Sequence, residues 1–440
     1  MVKINRLFLS RLTTESLWVL TGQVVSVVGQ LALIKVTTSL VSVSDYGLFT
    51  ILLVGGLFIE RTIMTVQAGI IRYYCEADDQ SQISNYWRSS RALLWRASRV
   101  ALLAGLILVT ALLLLGSIQL ALDVLLLLPF TIFMGWNTAL NGINLAARRR
   151  RIHALAQGGE PLLRLVVVAL LIAWLGPAVE ALLLAYLAAS MLVFFYLFRV
   201  TSSFLSDQSV ICLSQPYPLD IDWKSKIWTF SWPFSLWGVL AWLQQSSDRF
   251  SLEYQVGSDS VGLYSVLFQT GFVPMMLLSS MMSNLIVPVI YRRQSQSEGA
   301  SHVISPSSFS RDKLTLLTVS FLGALTLVAV SVSWVWHSQL MSLVVASSFL
   351  RYTSLLPVMV CAGGLTSIGQ ALSVELMAAK QTKHLLAVNV AYALVAVAAN
   401  WIGAGLFGVP GVVMAVLFSS LIYVLLLWGT SSALTPAVAS

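Results

Sequence analysis

Nine charged side chains interrupt stretches of the sequence that are otherwise apolar: Lys35, Glu60, Arg61, Glu160, Arg164, Asp248, Arg249, Glu253 and Glu375. Their chemistry is ion recognition. Arginine presents a planar fork of donors that fits phosphate oxygens, and lysine a compact point charge. Carboxylates in such a setting can couple an ion or hold a gate. Spacing then separates the candidates. Glu160 and Arg164, like Arg249 and Glu253, are i,i+4 neighbours that can neutralise each other on a helix. Glu60 and Arg61 are adjacent, so they point about 100° apart on a helix and each needs another partner. Asn137, Asn141 and Asn144 fall at i, i+4, i+7 and share one helical face. A stripe of amides suits a hydroxyl-rich ligand; hydrogen bonding between helices explains it as well.

The elements that must carry these residues follow from composition. The chain has 440 residues, 58% of them hydrophobic and only 10% charged, with a mean hydropathy of +0.84. A bilayer-spanning helix takes about 20 mostly apolar residues. Such runs occur at roughly 18–40, 46–71, 98–118, 124–146, 155–176 and 180–199. A second set lies at roughly 227–256, 261–291, 314–336, 352–378, 385–405 and 410–430. The sequence therefore predicts an all-α integral membrane protein of about 12 transmembrane helices. Pro274 inside the eighth span is expected to bend it. The polar stretch Gln294–Ser310 reads as a linker.

Orientation follows from the basic residues. Of the 26 lysines and arginines, 21 fall on one side of this pattern, including Arg148, Arg149, Arg150 and Arg151 after the fourth span. The opposite loops hold Arg351 alone, and the short turns there carry Asp45, Asp123, Glu180 and Asp259. Positive residues stay in the cytoplasm, which puts both termini there. The +8 net charge is thus a topology signal and a contact with anionic membrane lipids, not a sign of nucleic-acid binding. Residues 1–17 are too polar for a cleavable signal peptide. Cys75, Cys212 and Cys361 are not expected to form a disulfide.

The chain also repeats itself. Ser44-Asp45-Tyr46-Gly47 returns as Ser258-Asp259-Ser260-Val261-Gly262, and Ala146-Ala147-Arg148 as Ala378-Ala379-Lys380. Six spans per half give the halves a common orientation, as in parallel-repeat transporters. The expected organisation is a bundle at 1–200, a cytoplasmic linker at 201–226 and a second bundle at 227–440. In this scheme Lys35 and Arg249 lie at matching depths and offer two cations to a central cleft, an arrangement suited to a diphosphate.

The run Gln245-Ser246-Ser247-Asp248-Arg249-Phe250, followed by Gly262-Leu263-Tyr264, resembles the Wzx-type polysaccharide-biosynthesis flippases, as does Asp45-Tyr46-Gly47. These belong to the superfamily that also holds the MATE drug exporters. The resemblance implies two six-helix bundles around a cleft that opens alternately to either side. It also implies the substrate, an undecaprenyl-pyrophosphate-linked oligosaccharide carried to the outer leaflet for O-antigen, capsule or exopolysaccharide export. The membrane would be the bacterial inner membrane, and a polysaccharide polymerase and chain-length machinery would be partners. On this reading Lys35, Arg61, Arg164, Arg249 and the three asparagines contact substrate, while Glu60, Asp248, Glu253 and Glu375 couple an ion or gate. Loss of Arg61 or Arg249 is expected to impair export at unchanged protein levels. The alternative is a MATE-like exporter of drugs or small organic cations. No Walker-type phosphate loop and no Cys/His cluster occurs, so neither direct ATP coupling nor a cofactor or metal is expected. The short outer loops leave no room for glycan chemistry, so the chain is not expected to be an enzyme.

Overall fold

The computed structural model describes residues 6–211, 221–279, 313–378 and 381–434. The Gln294–Ser310 stretch, Cys212 and Lys380 lie outside them. The described residues are helical, with no strand. The first helices are α1 (Arg6–Leu40), α2 (Val43–Thr62), α3 (Val66–Asp79), α4 (Ile83–Leu114), α5 (Ile118–Ala146), α6 (Arg150–Leu175) and α7 (Val179–Ile211). Then come α8 (Trp223–Gln255) and α9 (Ser258–Leu267), which runs through a π-turn at Phe268–Phe272 to residue 279. The last are α10 (Lys313–Val344), a 3-10 segment (Ser347–Leu355), α11 (Leu356–Ala378), α12 (Thr382–Phe407) and α13 (Val409–Leu434).

Among the described residues eleven helical segments are long and apolar enough to cross a membrane, so the protein is a multi-pass membrane protein. The expected seventh span is present as α8. Its charge-free stretch, residues 227–247, falls short of that apolar standard because Thr229, Ser231, Pro233, Ser235, Gln244 and Gln245 lower its mean hydropathy. The expected second span differs more. Its apolar run is broken at residues 63–65, dividing it into α2 and α3. Both copies of the outer-turn motif start a helix. Asp45 and Asp259 lie in the first turns of α2 and α9, where a negative charge meets the positive end of the helix dipole.

The chain forms two compact units, residues 1–242 and 243–440, and the division falls inside α8. In the first unit α1 lies along α6, and α5 packs on α7 and α4. Small residues set the α1–α6 distance: a Cβ on Gly22 would meet Ala154 at 2.8 Å, and one on Gly29 would meet Pro161 at 3.1 Å. Gln157 Nε2 donates to Gln23 Oε1 across the same seam at 2.6 Å. In the second unit α13 packs on α11 and α12, and α10 on α11. Tyr392 and Tyr423 stack there with centroids 4.5 Å apart.

The first part of α8 explains how the broken second span is held. Trp242 Nε1 donates to the Val54 carbonyl at 2.7 Å. Gly238 faces the Arg61 carbonyl so closely that any Cβ would collide with it. The Ser235 and Thr65 hydroxyls lie 2.8 Å apart, and Ser231 Oγ accepts from Gly69 N–H at 3.1 Å. Residues 231, 235, 238 and 242 recur every three or four positions, so they form one helical face. That face runs antiparallel to α2 and α3 and supplies polar partners where their own helical bonding is interrupted.

Candidate functional site

The second unit holds the more deeply buried ionic cluster. Asp248 is 3% exposed and Arg249 is 7% exposed. Arg249 Nη1 lies 3.3 Å from Asp248 Oδ1, and the Tyr264 hydroxyl donates to Asp248 Oδ2 at 2.5 Å. The Arg249 guanidinium sits 4.5 Å from the Phe268 ring centroid and 5.6 Å from that of Tyr264. A desolvated cation gains from such aromatic faces. Phe268 opens the π-turn, and the cause of that turn is in the sequence. Pro274 has no N–H to offer the Thr270 carbonyl and would clash with it, so the helix widens just ahead of the proline. The bend expected from Pro274 thus takes the form of a π-turn beginning at a residue that touches Arg249.

Arg249 therefore pairs with its neighbour Asp248, not with Glu253 four residues on. Glu253 Oε1 instead accepts from Ser258 Oγ at 2.8 Å, at the start of α9. Nearby, Asn400 Nδ2 donates to Ser247 Oγ at 2.8 Å and fixes α8 against α12. Glu375 falls within α11, but its side chain lies outside those described.

In the first unit Glu160 and Arg164 form the i,i+4 ion pair that their spacing suggests. Arg164 also faces aromatic rings, 4.6 Å from the Tyr186 centroid and 5.6 Å from that of Phe130. Glu60 is buried and accepts from Gln67 Nε2 at 2.8 Å, across the α2–α3 break. Arg61, beside it in the last turn of α2, is half-buried and has no carboxylate within ion-pair distance among the described residues. Lys35 is half-buried on α1.

The asparagine stripe is occupied by helix packing. Asn137 Nδ2 donates to the Ser190 carbonyl at 2.9 Å, and Asn144 Nδ2 to Thr201 Oγ1 at 2.7 Å, both on α7. Asn141 Oδ1 lies 3.0 Å from His153 Nδ1 on α6. Arg149 completes this corner by donating to Asn144 Oδ1 at 3.1 Å and to the Val200 carbonyl at 3.2 Å.

Sequence reasoning missed several partners. Gln67, Phe130, Tyr186 and Phe268 were not singled out, although Phe268 follows Tyr264 by four residues and so shares its face. Asp123 reads as an outer-turn acid, yet it is 1% exposed and neither of its carboxyl oxygens has a hydrogen-bond partner among the described residues.

Residues 12–294 match the polysaccharide biosynthesis protein family. The chain belongs to that family. Among solved structures it is similar to an inward-facing multidrug resistance MATE family transporter of the MOP superfamily. The two are 14% identical over 95% of this chain and 96% of that one, with a TM-score of 0.64. The lipid II flippase MurJ in an inward closed conformation is also 14% identical, over 96% of this chain and 87% of that one, with a TM-score of 0.63. A mutant of the Vibrio cholerae MATE transporter VcmN gives 14% identity, 96% coverage of both chains and a TM-score of 0.63. At such identities the likeness is one of fold. No curated protein matches the chain in sequence. Sequence thus gives the polysaccharide biosynthesis family, and the fold is the one that the MATE transporters and MurJ share.

Proposed function

We propose that the protein moves an undecaprenyl-pyrophosphate-linked oligosaccharide from the cytoplasmic to the outer leaflet of the bacterial inner membrane by alternating access. Family membership supports the glycan reading. The observation that carries the site assignment is Arg61. Of the candidate cations, Arg164 and Arg249 already have carboxylate partners, whereas Arg61 sits in the last turn of α2 with none among the described residues. A cation at membrane depth needs a counter-charge, and a diphosphate supplies one with the geometry that a guanidinium matches. Glu60 and Gln67 beside it offer acceptor and donor groups to the first sugar or to a coupling ion. On this reading both termini are cytoplasmic, and a polymerase with its chain-length regulator consumes the product outside.

The test is surface polysaccharide display in a cell that depends on this protein. Arg61→Ala should lower display at least tenfold at normal membrane levels of the protein, and Arg61→Lys should restore part of it. Full display by Arg61→Ala overturns the assignment. Unchanged display in cells lacking the protein, together with increased sensitivity to organic cations, would favour a drug exporter.

A further inference from the structure

Beside the α2–α3 break, the first unit holds an open cavity of about 610 Å³ that the export reading does not use. Its wall is apolar, formed by Ile63, Val66, Leu93, Ala97, Val100 and Trp228. Arg96 and Lys224 line the same cavity. A smaller cavity of about 330 Å³ shares Lys224 with it and adds Arg88, Asn85 and Ser89. The acid at this end, Asp222, is already engaged: its Oδ1 accepts from the N–H groups of Lys224 and Ser225 and caps α8. Three cations therefore line the cavities, and the one carboxylate that lines them among the described residues, Asp222, is engaged in capping a helix.

The apolar part is open and not sealed. Val100 is 54% exposed and Trp228 is 53% exposed. On each helix an exposed apolar stripe runs on from the groove, through Leu103 and Ile107 on α4 and through Trp232 and Leu236 on α8. Both helices leave the basic end of the protein in the direction of their apolar residues. A ligand that fits must carry a negative head and a hydrocarbon tail. The larger cavity offers a glycan few polar groups, its hydroxyls being those of Thr62, Ser225 and Ser235.

We propose that this groove is a binding site for an anionic phospholipid, its phosphate held by Arg96 and Lys224 and its acyl chain laid against Trp228 and Val100. Basic pockets between transmembrane helices hold anionic head groups in this way. The lipid covers the surface where α8 braces the α2–α3 break, and its presence stiffens that joint. The site is separate from the export reading and does not depend on it.

Native mass spectrometry of the full chain in detergent tests the assignment, with phosphatidylglycerol and phosphatidylcholine of matched acyl chains as probes. The wild type should retain phosphatidylglycerol over phosphatidylcholine by roughly tenfold or more, about what two cations near a phosphate supply. The Arg96→Gln/Lys224→Gln variant should lose that preference. Arg99→Gln, an exposed cation of α4 outside both cavities, should keep it. A matching Tm in phosphatidylcholine for wild type and double variant establishes that the variant is folded. Should it not match, the single variants Arg96→Gln and Lys224→Gln carry the same reading. Equal retention of the two lipids, or an undiminished preference in the variants, overturns the proposal. Stoichiometric displacement of phosphatidylglycerol by undecaprenyl diphosphate also overturns it, because the groove would then serve the polyprenyl lipid.

Discussion

The Tyr264 hydroxyl donates to Asp248 Oδ2 at 2.5 Å, and this bond joins two of the three sequence fragments that carry the family resemblance. One fragment supplies the Asp-Arg pair late in α8. The other supplies the Gly-x-Tyr turn of α9, whose tyrosine reaches back to that pair. Their co-occurrence has a physical cause: a buried carboxylate beside one arginine still has lone pairs to satisfy, and the tyrosine fills one of them.

Tyr264→Phe removes that donor and keeps the ring near Arg249. Leaving Asp248 short of a partner should cost about 1–3 kcal/mol, seen as a lower Tm in detergent. An unchanged Tm would mean that Arg249 alone satisfies Asp248.

Arg249 and Arg61 should fail in different ways, although the sequence treats them alike. Arg249 is locked between Asp248 and two rings, so Arg249→Ala leaves an uncompensated buried carboxylate at a cost of about 3–5 kcal/mol. The expected result is loss of folded protein and not a selective loss of export. Asp248→Asn in the same chain should recover much of that stability, and a double-mutant cycle measures the coupling. Additive losses would show that the two residues act independently.

How far the sequence can be read depends on whether partners are local. Hydropathy located the spans because burial in lipid acts on each helix separately. The asparagine face and the Glu160–Arg164 pair were legible because both follow helical periodicity. The break at residues 63–65 was not, since Ile63, Met64 and Thr65 include no glycine or proline and continue an apolar run. It is held by Ser231, Ser235 and Gly238, more than 160 residues away. The partner of Arg249 is not legible for a related reason. The i,i+4 rule offered Glu253, whereas a tyrosine and a phenylalanine from the next helix hold the arginine toward Asp248.

Gly238 and Gly55 make a controlled pair. A Cβ on Gly238 would strike the Arg61 backbone carbonyl, which cannot swing aside, so Gly238→Ala should destabilise by about 1–3 kcal/mol. Around Gly55 nothing lies within 4 Å of an added Cβ. Gly55→Ala should therefore stabilise α2 by about 0.5–1 kcal/mol through lower backbone entropy in the unfolded chain. Thermal unfolding of both variants decides it; a neutral Gly238→Ala would show that α8 is not seated against the break.

Orientation can be tested at two exposed arginines. Arg148 lies between α5 and α6 with φ of 56°, and Arg351 lies in the 3-10 segment before α11. The distribution of basic residues assigns them to opposite sides of the membrane. In a background with Cys75, Cys212 and Cys361 replaced, Arg148→Cys should react with an impermeant maleimide only in inverted vesicles. Arg351→Cys should react in intact cells. Because the two sites are joined by an odd number of crossings in the expected topology, labelling from the same side would remove or add a span. The reverse pattern would invert the protein and put the basic groove of α4 and α8 in the outer leaflet.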